Sequence, residues 1–168
     1  MAYLREILTE GHPTLRKIAK RVDPKEIREP LFQQLIDDMF ATMYDAPGVG
    51  LAAPQVNVSK RLFVIDVRDD EHEAAVVINP KLERCGDDIE LKEGCLSVPG
   101  MVGDIHRRER VVVTGLDRNG QKIRLEGDGL FAQCVQHEVD HLDGKLYIDR
   151  ATNVRPALTE EEKETAEA

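Results

Sequence analysis

A chain of 168 residues fits one domain and can bury roughly 70% of its unfolded surface, so it folds without needing disulfides. A formal charge of −9 argues against a body built to bind nucleic acid, and three cysteines are too few and too odd in number for a disulfide framework, as expected in a reducing cytoplasm. The first residues, Met1 to Glu6, meet charge at once, and no apolar run approaches a membrane span; a soluble cytoplasmic protein is expected.

A short helical pattern over residues 13–19 precedes a longer one over 24–44, where Ile27, Leu31, Leu35, Met39 and Met43 recur at helical spacing and Phe32, Ile36 and Phe40 widen the stripe. This predicts an N-terminal core-packing helix. Residues 48–55, Gly48-Val49-Gly50-Leu51-Ala52-Ala53-Pro54-Gln55, hold two glycines and a proline and predict a loop that brings backbone close to a ligand. From Arg61 the period changes to that of strands, over residues 62–67, 75–78, 81–91, 110–116 and 121–126, with Asn119-Gly120 as a hairpin turn. Arg84-Cys85-Gly86-Asp87 reads as a turn between strand segments. His106-Arg107-Arg108-Glu109-Arg110 reads as the solvated start of a strand.

A second helix is predicted over residues 128–143, with Asp128 as N-cap and Gly144 as the left-handed residue that ends it. Phe131, Val135, Val139 and Leu142 form one apolar stripe, and Leu130, Cys134, His137, Glu138 and His141 lie on another face. Strands grouped before this helix make the class α+β, with antiparallel β-sheets packed around a central helix and an N-terminal helix beside them. Residues 1–150 read as one catalytic domain. Residues 151–168 read as an acidic, flexible tail, because residues 159–168 carry five glutamates and almost no apolar side chain.

Gln136-His137-Glu138-Val139-Asp140-His141 places H-E-x-x-H on that helix. Residues four apart are about 6 Å along the axis and about 40° around it, so both imidazoles reach one ion with Glu138 beside it. Such an ion lowers the pKa of a bound water, and a neighbouring carboxylate moves its proton. A catalytic site of this kind has a third protein ligand. The spacing H-E-x-x-H-x-x-G-x-x-H continues to Gly144 but meets Tyr147 where a histidine belongs, and Glu161, at thermolysin-like distance, lies in the unsupported acidic end. Cys134 is seven residues from His141, about 10 Å along the helix, too far to share one ion with both histidines. Cys95 follows a glycine in Glu93-Gly94-Cys95-Leu96-Ser97 and is open both as a ligand and as an ordinary buried thiol.

Residues 48–55, the Glu93–Ser97 stretch and the Gln136–His141 stretch together resemble, in order and spacing, the three signature motifs of the peptide deformylases. The likeness runs from about Arg5 to Arg150. It implies Cys95, His137 and His141 as metal ligands, Glu138 as general acid/base, and Gln55 with the Leu96 backbone N–H as oxyanion donors. Substrate walls are then Val49, Gly50, Gly94, Leu130 and Cys134. The implied reaction is hydrolysis of the formyl group from the N-terminal formylmethionine of newly made polypeptides: a metal-bound hydroxide attacks the formyl carbon and formate leaves. Family members favour Fe2+, with Zn2+, Ni2+ or Co2+ as alternatives, and a thiolate with two imidazoles does not choose among them. The alternatives are an H-E-x-x-H metalloendopeptidase and an inactive deformylase-like binding module.

Two departures stand out. Where family members carry a C-terminal helix, in some a ribosome contact, this chain ends in an acidic run, leaving Arg150, Arg155 and the stretch near Arg107 as ribosome-facing candidates. Residues 101–106, Met-Val-Gly-Asp-Ile-His, read as an insertion at the substrate rim, and His12, His72 and His106 as surface or loop residues.

Overall fold

In the computed structural model, which describes residues 1–167, the chain folds as α1 (Pro30–Asp45), β1 (Gly50–Ala52), β2 (Leu62–Ile65), β3 (Ala75–Cys95), β4 (Val98–Leu116), β5 (Lys122–Asp128), α2 (Gly129–Leu142), β6 (Thr152–Pro156) and α3 (Glu160–Glu167). The strands form an antiparallel sheet in the order β1-β2-β3-β4-β5, and β6 pairs with β4. This is the α+β class that the sequence predicts.

Alternation along the strands decides which helix covers which face. Leu62, Val64, Val76 and Ile78 point to one side, where Phe32, Leu35, Ile36, Met39 and Met43 of α1 meet them. Phe63, Ile65, Val77, Val111 and Val113 point to the other, against Phe131, Val135, Val139 and Leu142 of α2. The apolar stripe predicted for α2 is therefore core.

The longest feature is the β3–β4 hairpin, in register from Ile78↔Leu116 to Cys95↔Val98, so that Cys95, Leu96, Ser97 and Val98 form its tip. A smaller core of Val98, Ile105, Leu146 and Tyr147 supports that tip. Midway, Gln136 of α2 accepts from the Arg108 N–H at 3.0 Å and donates to the Arg108 carbonyl at 2.9 Å, which fixes the helix against β4.

Several expectations change. The 24–44 helix begins at Pro30, because Pro24 and Pro30 each lack the N–H of a helix interior and sit where first turns start. Ile27 is buried in the preceding turn, and Leu31 is 83% exposed. Residues 13–19 form only a single 3-10 turn, Pro13–Arg16. Asp128 occupies the N-cap position but its carboxylate caps nothing; as the last residue of β5 its backbone still pairs with Arg110 of β4, and Gly129 turns the chain at φ +55°. Gly144 does take the left-handed φ of +73°. Cys85 is inside β3, just before a bulge.

Residues 101–106 are paired strand, held between β3 and β6. His72 is more than a loop residue, since its ring stacks on Phe131 at 3.9 Å. The acidic end, expected as a flexible tail, contains α3: Thr159 Oγ1 accepts from the Glu162 N–H and a Glu162 carboxylate oxygen accepts from the Thr159 N–H, a reciprocal cap.

Candidate active site

Helix α2 presents His137, Glu138 and His141, all buried, toward the hairpin tip that carries Cys95. The Cys95 Sγ lies 3.3 Å from His141 Nε2, and the two Nε2 atoms lie 3.2 Å apart. These three ligand atoms fall within 4.8 Å of one another, and Cys134 is not among them. Burial pushes the Cys134 thiol well up, Glu138 beside it adds to the shift, and Cys134 stays protonated, donating to Glu138 Oε2 at 3.9 Å. Tyr147 is buried under the tip, and Glu161 is exposed on α3.

Charge around the cluster favours a cation. Burial alone disfavours a proton on His137, yet Cys95, Glu93 and Glu138 pull its pKa well up, while burial and His137 push His141 well down. A divalent ion can supply that positive charge with both rings neutral. Three buried polar atoms around the cluster, Glu138 Oε1, His141 Nδ1 and Tyr147 Oη, have no hydrogen-bond partner among the described residues. A thiolate and two imidazoles whose ligand atoms converge suit a first-row divalent ion, and the residues fit a metal centre.

Behind His137 lies a network that the sequence reading did not single out. His137 Nδ1 bonds Glu93 Oε2 at 2.8 Å, which leaves Nε2 free to face the cluster. Glu93 also accepts from Arg107 Nε and a terminal nitrogen at 3.1 and 2.6 Å. Arg107 in turn donates to Asp140 at 2.7 Å, and Arg150 reaches the same Asp140 oxygen at 2.7 Å. Burial alone would raise the Glu93 pKa; hydrogen bonds from His137 and Arg107, with their charges, hold it at about 2. Arg107 is 2% exposed, so the expected solvated strand start instead buries a guanidinium between two carboxylates. Arg155 pairs with Asp104. Glu93 opens the Glu93–Ser97 stretch, and only its place in a strand opposite α2 reveals its partner.

Glu138 forms one wall of a cavity of about 430 Å³ that Val49, Gly50, Gly94, Cys95, Leu96, Leu130, Cys134 and His137 also line. Burial pushes the Glu138 carboxyl up to about 7. Gly50 leaves room for the Glu138 carboxylate: a Cβ there would meet Cys134 Sγ at 2.5 Å and Glu138 Oε2 at 2.6 Å and force those side chains to shift. Gln55 lies behind the tip, 2% exposed; its Nε2 donates to Ser97 Oγ at 3.0 Å and to Cys95 Sγ at 3.8 Å, while its Oε1 accepts from the Ala52 N–H. Residues 101–106 do not reach this lining.

Residues 4–157 match the family model for polypeptide deformylase. The chain belongs to the polypeptide deformylase family. The peptide deformylase of Stenotrophomonas maltophilia is 46% identical over 97% of this chain and 99% of its own length. That of Symbiobacterium thermophilum is 50% identical over 96% of this chain and 74% of its own. Among solved structures, a peptide deformylase from Legionella pneumophila superposes with a TM-score of 0.82 at 46% identity, covering 98% of this chain and 92% of that one. One from Acinetobacter baumannii, bound to Met-Ala-Ser, superposes at 0.84 with 37% identity, over 89% and 99%. The deformylases are metalloenzymes, and the chain is a deformylase-family enzyme with a Cys-His-His group of matching chemistry. No helix among the described residues is long and apolar enough to cross a membrane.

Proposed function

We propose that this deformylase removes the formyl group from the N-terminal formylmethionine of newly synthesised polypeptides in the cytoplasm, releasing formate and a free amine. The observation that carries the reading is the placement of buried Glu138 between the Cys95–His137–His141 group and a cavity largely walled by apolar side chains and backbone. A divalent ion, Fe2+ first and Zn2+, Ni2+ or Co2+ as alternatives, would be held by Cys95 Sγ and the two Nε2 atoms; it supplies Lewis acidity and a lowered pKa for water.

The chain's own residues do the rest. Glu138, with Oε1 unpartnered, takes the proton of the attacking water and delivers it to the leaving nitrogen. The Gln55 amide donates without titrating, and with the Leu96 N–H it stabilises the negative oxygen that develops; one such donor is typically worth about 3 to 4 kcal/mol. Val49, Gly50, Gly94, Leu130 and the protonated Cys134 enclose the methionine side chain. Strand β1 ends the sheet, so its free edge can pair an extended substrate. The Met-Ala-Ser held by the Acinetobacter relative supports an N-terminal methionyl peptide as ligand. We assign catalysis to residues 1–150 and none to 151–168.

The test uses anaerobically purified, iron-loaded protein and compares formate release from a formyl-Met peptide with internal cleavage of an unformylated peptide. Formate without internal cleavage is expected. Internal cleavage would mark an endopeptidase, and neither product a binding module.

A further inference from the structure

Helix α2 starts without a side-chain cap: Asp128 bonds no N–H of the first turn, and Gly129 follows at φ +55°. Yet Leu130, 50% exposed, is a wall of the substrate cavity and needs a fixed place. His72 holds this junction from outside both helix and sheet. Its ring stacks on that of Phe131, centroids 3.9 Å apart and planes 3° from parallel, and its Nε2 lies 2.8 Å from the Glu126 carbonyl. Gly127 makes room for the ring, since a Cβ there would meet His72 Nε2 at 2.7 Å.

The other ring nitrogen, Nδ1, faces the Asp69 carboxylate at 2.9 Å. A carbonyl and an ionised carboxylate only accept, so the two bonds together need two N–H groups, and only the imidazolium has them. Burial opposes that charge, but the Glu126 carbonyl, Asp69 and Glu71 outweigh it and hold the His72 pKa above the usual 6.5. The Glu126 carboxylate is engaged by Arg124. Across the adjoining groove stand Glu73, Asp117, Tyr44 and Arg118; Tyr44 donates to Asp66, and Arg118 pairs with Asp37. The loop that carries His72 is also tied to the opposite cavity wall. The Asp66 N–H donates to the Val49 carbonyl at 2.8 Å, and Arg68 to the Gly48 carbonyl at 3.3 Å. Residues 66–72 thus form a strap from Gly48 and Val49 to the first turn of α2.

We propose that His72, as an imidazolium, is a positioning residue for the substrate cavity: it closes this strap and sets Leu130 opposite Val49. The proposal rests on the reading above for what the cavity holds. Below the ordinary histidine range the strap is complete. As pH rises through the raised value one nitrogen loses its proton, a lone pair then faces an acceptor, and the junction loosens. The effect falls on substrate binding, because Leu130 touches the bound side chain and not the reacting atoms.

The test takes the iron-loaded full chain from about pH 6 to about pH 9, a span that crosses the titration of a histidine. It measures KM and kcat for a formyl-Met peptide, and by calorimetry the Kd of Met-Ala-Ser. His72→Phe keeps the stack and removes both bonds. It should raise Kd and KM about tenfold at the acid end, leave kcat within about twofold, and converge on wild type at the alkaline end. His72→Arg keeps a planar group with permanent charge and donors, and should bind more tightly than wild type at the alkaline end. Glu138 and the peptide amine titrate alike in all three proteins, so the ratio to wild type isolates His72. A wild-type Kd in His72→Phe at the acid end, a ratio constant with pH, or a loss confined to kcat would overturn the proposal. A chain that binds Met-Ala-Ser with this pH dependence and releases no formate would refute the deformylase reading and leave the strap standing.

Discussion

Replacing Glu93 with Gln tests whether the buried network positions the metal ligand. The carboxylate is 6% exposed as a residue, bonds His137 Nδ1, and receives two hydrogen bonds from a guanidinium that is 2% exposed. The glutamine keeps the shape and removes the charge, so Arg107 keeps only Asp140, an acceptor already shared with Arg150. Breaking one side of a buried pair costs about 3 to 5 kcal/mol, because the remaining charge stays out of water. For 168 residues at about 2 cal/mol/K of unfolding entropy each, that is a fall in Tm of roughly 9 to 15 °C. Metal affinity should drop by about 10- to 100-fold, as is usual when a ligating histidine loses its partner. Calorimetry and a chelator competition read the two effects separately. In Glu93→Leu/Arg107→Met, where no lone charge is left at the pair, part of the Tm should return while metal affinity stays low. A Glu93→Gln protein that melts within about 2 °C of wild type and keeps its metal affinity would refute the positioning role.

Cys95→Ala should abolish bound metal, while Glu161→Gln leaves metal and activity intact; metal analysis after desalting checks both. Gly50→Ala should lower kcat by at least about 100-fold, because its Cβ would displace the Glu138 carboxylate and a shift near 1 Å has that cost. Circular dichroism of that variant should show the fold retained. Asp38, buried on α1, accepts from the Tyr3 N–H, Arg5 and Gln34. Burial alone would raise its pKa, but these bonds hold it below the usual 3.8. Its contribution is therefore complete above the ordinary carboxylate range and is lost as pH falls through the lowered value. Asp38→Asn should cost about 1.5 to 3 kcal/mol at pH 7 in urea unfolding, a difference that shrinks below about pH 4.

Helix α2 was legible because a 3.6-residue period, a terminal Gly144 and H-E-x-x-H all describe one continuous segment. The α1 boundary was obscured because Ile27 and Leu31 continue the spacing across Pro30, and only the proline marks the break. The β3–β4 hairpin was cut into pieces because its bulges read as turns and its outer half is polar on both faces. The same polarity hid Arg107: a buried guanidinium and a solvated one look alike until the carboxylates opposite it, Glu93 from a neighbouring strand and Asp140 from a helix, are in place. Cys95 could be matched to the histidines only through family motifs, since 42 positions separate Cys95 from His137 and no local period spans that distance. Gln55 joined the site by the same route.

A metal-dependent deformylase centre at Cys95, His137, Glu138 and His141 requires one bound ion per chain. The most direct test titrates metal-stripped protein with Fe2+ under anaerobic conditions and follows formate release from a formyl-Met peptide. Activity should be absent at the start, rise linearly and break at one equivalent per chain, with Glu138→Gln binding the same equivalent but releasing little formate. Formate release by the stripped protein, or full activity in Glu138→Gln, would contradict it.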